Sequence, residues 1–112
     1  IEFRQKNEPL LITGDGEQTR DFVNVKDVVS ANILVMKGDK VGKGEVLNIG
    51  GGNQYSVNQI AKLIGGNVSY VPPRIEPRDT LADISKAKEF LNWEPTVELE
   101  DGILELKNSF NI

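Results

Sequence analysis

Three arginines are the residues of this chain best equipped to hold an anion, two of them flanking a glutamate. Arg20 lies in Gly14-Asp15-Gly16-Glu17-Gln18-Thr19-Arg20-Asp21-Phe22, where turn chemistry gives way to the β-rich run Phe22-Val23-Asn24-Val25. A guanidinium carries five donors in a planar fork that matches a phosphate through two hydrogen bonds. Position alone leaves two readings of Arg20, a solvated arginine beside a turn or an arginine gripping a phosphate at the mouth of a cleft. Arg74, Glu76 and Arg78 lie in Tyr70-Val71-Pro72-Pro73-Arg74-Ile75-Glu76-Pro77-Arg78-Asp79-Thr80. Proline fixes its own φ and pushes the residue before it toward extended backbone. The stretch therefore either presents three charged side chains stiffly to a ligand or runs as an exposed connector with solvated charges.

Other chemistries are narrowed by composition. The chain has no His and no Cys, which removes imidazole bases, thiolate nucleophiles, disulfides and the usual zinc ligands. The acid pairs Asp79/Asp83 and Glu100/Asp101 lack a third converging ligand, and helix-start placement accounts for Asp83, Glu100 and Asp101. Gly50-Gly51-Gly52 follows a β-rich run and precedes a helix, as phosphate loops do. Its sixth position is Tyr55 rather than Gly, and no Gly-Lys-Ser/Thr follows, so a tight turn is expected, with a secondary place near a ligand left open. Seventeen acidic against 13 basic residues, a net charge of −4 and no Lys/Arg run argue against nucleic acid as a partner. No apolar run approaches the roughly 20 residues of a membrane span and no signal-peptide pattern is visible, so a cytoplasmic location is expected.

At 112 residues the chain is one domain or less. Strands are expected at Leu10–Thr13, Phe22–Val25, Val46–Ile49 and Val68–Val71. A helix from Asp27 to Met36, capped by Asp27, carries apolar residues on two stripes (Val28, Ala31, Val35 and Val29, Ile33, Met36) and should be largely buried. Ser56 is a good N-cap for a helix with Val57, Ile60, Ala61 and Ile64 on one face, stopped by Gly65-Gly66. Asp83 is expected to cap a helix with Ile84, Ala87 and Leu91 on one face, ending at Asn92 in the left-handed region. Leu99, Ile103, Leu106 and Phe110 mark a last helix, with Trp93 and Phe110 in the core. The resulting order, β-β-α-β-α-β-α-α, is a mixed α/β class with short strands and about four helices, too few strands for a doubly wound sheet of its own.

Five stretches together resemble a known family. They are Gly14 to Val29, Leu47-Asn48-Ile49-Gly50-Gly51-Gly52, Pro72-Pro73-Arg74, Arg78-Asp79-Thr80-Leu81-Ala82-Asp83-Ile84-Ser85-Lys86-Ala87, and Leu91-Asn92-Trp93-Glu94-Pro95. In this order they are similar to the C-terminal part of the NAD-dependent epimerase/dehydratase family, the extended short-chain dehydrogenase/reductases acting on nucleotide sugars, and most of all to its UDP-glucose 4-epimerase branch. The resemblance covers almost all of residues 1–112, as one C-terminal nucleotide-sugar-binding domain of a longer enzyme.

The resemblance implies that a Rossmann half, with the NAD loop and a Tyr-x-x-x-Lys catalytic pair, lies outside this chain. Tyr55 is followed four residues on by Gln59 and Tyr70 by Arg74, so neither belongs to such a pair. It implies that Arg20 contacts a substrate diphosphate, that Arg74 is a second diphosphate contact and that Glu76 reaches the nucleotide ribose. The family pattern Arg-x-Gly-Asp/Glu-x-Arg is one residue shorter here and lacks its glycine, so Arg74 and Arg78 both stand as candidates. Asn24 replaces a common Tyr or His, and Asn92 replaces a Gly. NAD as the parent's cofactor, a UDP-sugar or related nucleotide sugar as ligand, and the missing Rossmann half as partner are the implied associations. Uncovered strands and helix faces would favour a homo-oligomer. The alternative is a stand-alone, non-catalytic module binding a nucleotide diphosphate or another protein.

Overall fold

Punctuation by glycine and proline cuts the chain into short elements. The computed structural model describes residues 1–112. The order is α1 (Glu2–Gln5), β1 (Leu10–Thr13), β2 (Thr19–Asp21), α2 (Val25–Lys37), β3 (Gln54–Ser56), α3 (Val57–Ile64), β4 (Val68–Val71), α4 (Ser85–Leu91) and α5 (Leu99–Ser109). Strands β1 and β4 pair in parallel, with Leu10 opposite Val68 and Thr13 opposite Val71. Strands β2 and β3 pair antiparallel, with Arg20 opposite Tyr55. Gly14, at φ +70°, ends β1, and Pro72-Pro73 ends β4, so both parallel strands stop at the same edge. That edge carries the candidate site.

The hydrophobic core is a cluster of Ala31, Ala87, Leu91 and Trp93, where α2 meets α4. The Trp93 indole donates to the Asp27 carbonyl at 3.2 Å and to Ser30 Oγ at 2.9 Å, so its polar edge is satisfied inside the core. Helix α4 stops at Asn92, whose φ of 50° and ψ of 40° are the expected left-handed terminus. Ser56 caps α3 in a reciprocal capping box with Gln59, and Gly65 ends it.

Only 11 of the 112 residues are buried. The radius of gyration is 16.6 Å, against the roughly 13 Å that compact chains of this length reach. The chain therefore does not close a full core around itself.

Several expectations shift. The Val46–Ile49 run forms no ladder, although Leu47 and Ile49 pack on the core while Val46 and Asn48 stay exposed. Its alternation is strand-like, but no edge of this chain lies beside it to accept its hydrogen bonds. The second strand falls at Thr19–Asp21, before the Phe22–Val25 run, because Asn24 caps α2 by accepting from Lys26 N at 2.9 Å. Asp27 is thus inside the helix and buried. Helix α2 is not largely buried: Val25, Val29, Ile33 and Met36 lie exposed, Met36 by 85%. Asp83 does accept from Ser85 N at 3.0 Å, though the helix begins at Ser85. Phe110 is 40% exposed just beyond α5, whereas Trp93 is buried. Helix α1 and strand β3 were not foreseen, since a four-residue helix with one apolar side chain, Phe3, and a three-residue strand leave little periodic signal.

Candidate functional site

Parallel strands end with side chains and loops free to converge, and the crevice beyond their carboxyl ends is a common ligand position. Here a cleft of about 500 Å³ opens there, lined by Thr13 to Asp15 after β1, by Arg74, Glu76 and Arg78 after β4, and by Gln18 between them. Arg20 does not line the cleft but contacts the lining residue Glu76, its Nη2 donating to Glu76 Oε2 at 2.9 Å.

The proline-rich segment is not a loose connector. Thr19 N donates to the Arg78 carbonyl at 3.0 Å, Thr80 N donates to the Thr19 carbonyl at 3.2 Å, and Thr19 Oγ1 donates to Asp79 Oδ1 at 2.6 Å. These bonds dock residues 78–80 alongside β2 as a short parallel bridge between Thr19 and Asp79. The three prolines stiffen the segment and β2 fixes its place, so Arg74, Glu76 and Arg78 are presented from a defined backbone.

Charge then sorts the arginines. Arg78 Nη1 donates to both oxygens of Asp15, at 2.9 and 3.1 Å. The hydrogen bond from Arg78, followed by one from the Glu17 amide, holds the Asp15 carboxyl below its ordinary range, and Asp15 in turn raises Arg78. Arg20 and Glu76 form the second pair, with side chains 25% and 37% exposed. Arg74 makes no ion pair and no side-chain hydrogen bond, so it is the cleft's uncompensated cation. An anion entering the cleft meets one free charge and one preset guanidinium.

Arg20 keeps capacity for such an anion. Its Nη1 hydrogens are used by the carbonyls of Thr19 at 2.6 Å and Arg78 at 3.2 Å, and one Nη2 hydrogen by Glu76. The Nε hydrogen and the second Nη2 hydrogen are left over from the five.

The glycine run is a close-packed turn. Asp21 Oδ1 accepts from Gly51 N at 2.5 Å, and Oδ2 accepts from Gly52 N and Ala82 N, both at 3.2 Å. A Cβ on Gly50 would stand 2.5 Å from the Ala82 Cβ, and one on Gly51 would stand 2.5 Å from the Phe22 carbonyl oxygen. Glycine is needed for packing, and the amides that a dinucleotide pyrophosphate would use already serve a carboxylate. These residues do not fit NAD.

Asp15, Gln18 and Asp21 belong to the site's construction, yet none was singled out from sequence. Each sits in a turn or beside one, where an acid or amide is ordinary. The only available signal was their adjacency to Arg20 within one seven-residue stretch.

The chain matches the family model described as GDP-mannose 4,6 dehydratase over residues 1–106. It is 36% identical over 111 residues to a UDP-glucuronate 4-epimerase of Thermodesulfobacterium geofontis, covering 92% of this chain and 33% of that protein. Among solved structures, the UDP-glucose 4-epimerase of Thermotoga maritima with UDP-glucose aligns with a TM-score of 0.86 at 43% identity, over 98% of this chain and 37% of that one. The UDP-glucuronic acid 4-epimerase of Bacillus cereus, in complex with UDP-glucuronic acid and NAD, aligns with a TM-score of 0.85 at 36% identity, over 92% and 35%. The chain thus spans about a third of the length of the relatives it matches.

Proposed function

Given that the chain belongs to the NAD-dependent epimerase/dehydratase family, we propose that it is the nucleotide-sugar-binding portion of a UDP-glucose 4-epimerase-like enzyme. Arg20 and Arg74 bind the substrate diphosphate, and Glu76 faces the nucleoside end. Arg78 is the supporting cation that keeps Asp15 from repelling the ligand. The observation that carries this reading is the cleft at the carboxyl ends of β1 and β4, lined by the unpaired Arg74 and by Glu76, whose partner Arg20 retains two free donors. The UDP-sugars named for the relatives favour uridine over the guanosine of the family description.

NAD supplies the redox chemistry in such a parent, and the rest of the parent would have to hold it. The glycine run of this chain has its amides committed to Asp21. The present chain therefore binds and orients; it does not oxidise. Its exposed α2 face and the unpaired run at Val46–Ile49 support a docking role toward that remaining portion.

Calorimetric titration of the 112-residue chain with UDP, UDP-glucose and NAD tests the proposal. The expected result is binding of UDP and UDP-glucose, no binding of NAD, and an Arg20→Ala loss of about 1.5 to 3 kcal/mol, the range for hydrogen bonds to charged groups. Unchanged UDP affinity in Arg20→Ala would remove the diphosphate role.

A further inference from the structure

Gln18 is 7% exposed, the one uncharged amide side chain buried beside the cleft. Burying an amide is costly unless its donors are used. Its Nε2 donates to the Thr13 carbonyl, the last residue of β1, at 2.8 Å, and also approaches Glu76 Oε1 at 3.4 Å. The opposite oxygen of that carboxylate, Oε2, takes Nη2 of Arg20 at 2.9 Å. One side chain thus spans from the end of the parallel sheet to the carboxylate that fixes the arginine.

We infer that Gln18 is a positioning residue for ligand binding: anchored on β1, it holds the Glu76 carboxylate in the plane that presents Arg20 to an anionic ligand. This rests on the diphosphate reading of the cleft and adds a residue to it. Glu76 sits on a segment with no ladder of its own at that position, so its backbone alone does not set the rotation of its carboxylate. The short Gln18 bond to Thr13 fixes the amide, and the longer one to Glu76 Oε1 tethers the oxygen that Arg20 does not hold. Arg20 is then held by the Thr19 carbonyl, the Arg78 carbonyl and Glu76, which leaves Nε–H and one Nη2–H without a partner in the chain. Without the amide, Glu76 turns toward water and Arg20 loses the contact that fixes its outer nitrogen.

A double-mutant cycle on the full 112-residue chain, with UDP as the probe, distinguishes positioning from simple structural support. Gln18→Met, close in volume and lacking the donors, should weaken UDP binding about fivefold, the size of one lost hydrogen bond. In the Arg20→Ala background the same change should have no further effect. Gln18→Glu, close in shape but repelling Glu76, should weaken binding at least as much. Thermal melting checks that each variant folds, and if Gln18→Met does not, Gln18→Asn, which keeps an amide too short to span from Thr13 to Glu76, carries the same cycle with Arg20. An equal Gln18→Met loss in both backgrounds, or no loss in either, overturns the inference while leaving the diphosphate reading intact. A wild-type chain that does not bind UDP, or that binds it equally after Arg20→Ala, overturns the diphosphate reading and this inference with it.

Discussion

Asp27 and Thr96, 69 residues apart, share two hydrogen bonds: Asp27 Oδ1 accepts from Thr96 N at 3.0 Å and from Thr96 Oγ1 at 2.8 Å. Asp27 Oδ2 accepts from Val97 N at 3.1 Å. One buried carboxylate on α2 thereby fastens the strap between α4 and α5, and with it the neighbouring Trp93. Replacing Asp27 by Ala strands three donors, each costing roughly 1 to 3 kcal/mol if water does not reach it. The expected loss is about 2 to 4 kcal/mol in urea unfolding, among the larger single-residue effects. A shift under about 0.5 kcal/mol would show that the strap holds without it.

Arg74 and Arg78 should respond differently to the removal of Asp15. Arg74→Ala removes a free cation and is expected to weaken UDP binding about tenfold, near the lower end for a charged hydrogen bond. Arg78→Ala weakens it by leaving Asp15 unpaired against the ligand, so Asp15→Asn should restore affinity to Arg78→Ala and not to Arg74→Ala. Calorimetry of the four variants reads this directly, and rescue of both or neither defeats the division of labour.

The Asp15–Arg78 pair also sets a pH signature. Because the hydrogen bond from Arg78 lowers Asp15 in the folded chain, its stabilisation is complete above the unfolded carboxyl range and is lost as pH falls through the lower folded value. NMR titration should place Asp15 below its ordinary value of 3.8, and Arg78→Ala should move it up. An unmoved Asp15 in Arg78→Ala would contradict the pairing.

Asn92 holds a left-handed backbone that an L side chain without a short polar group enters at a cost of roughly 1 to 2 kcal/mol. Asn92→Ala is expected to lower stability by about 1 kcal/mol, and Asn92→Gly to lie within about 0.5 kcal/mol of the wild type. Thermal unfolding of the two variants measures the difference, and equal effects would place the cost elsewhere.

The exposed stripe Val25, Val29, Ile33 and Met36 on α2 predicts self-association of the isolated chain. Val29→Glu with Ile33→Lys, a favourable helical pair, should restore a monomer without lowering the melting temperature. Sedimentation of the wild type as a clean monomer at micromolar concentration counts against the stripe as an adhesive surface.

The sequence by itself determined what depends on neighbours in the chain. The Ser56 cap with Gln59, the Gly65 stop, the Asn92 terminus and β4 ahead of Pro72-Pro73 all rest on one residue's backbone preference or on a bond across three positions. That Arg20 and the stretch from Arg74 to Arg78 lie beside turns was legible for a similar reason, since glycine and proline marked where the chain would bend. Tertiary structure decided everything that needed a partner far away. Asp27 resembled a helix cap until Thr96 and Val97 came within reach, and Val46–Ile49 had the alternation of a strand but no neighbouring edge. Val29 and Ile33 had the spacing of core residues, yet the chain leaves both about half exposed. The three arginines were equivalent as letters; Asp15 on Arg78 and Glu76 on Arg20 made Arg74 the unpaired one. Charge pairing across 56 and 63 residues depends on how β2 and the proline-rich segment dock, and no local spacing encodes that.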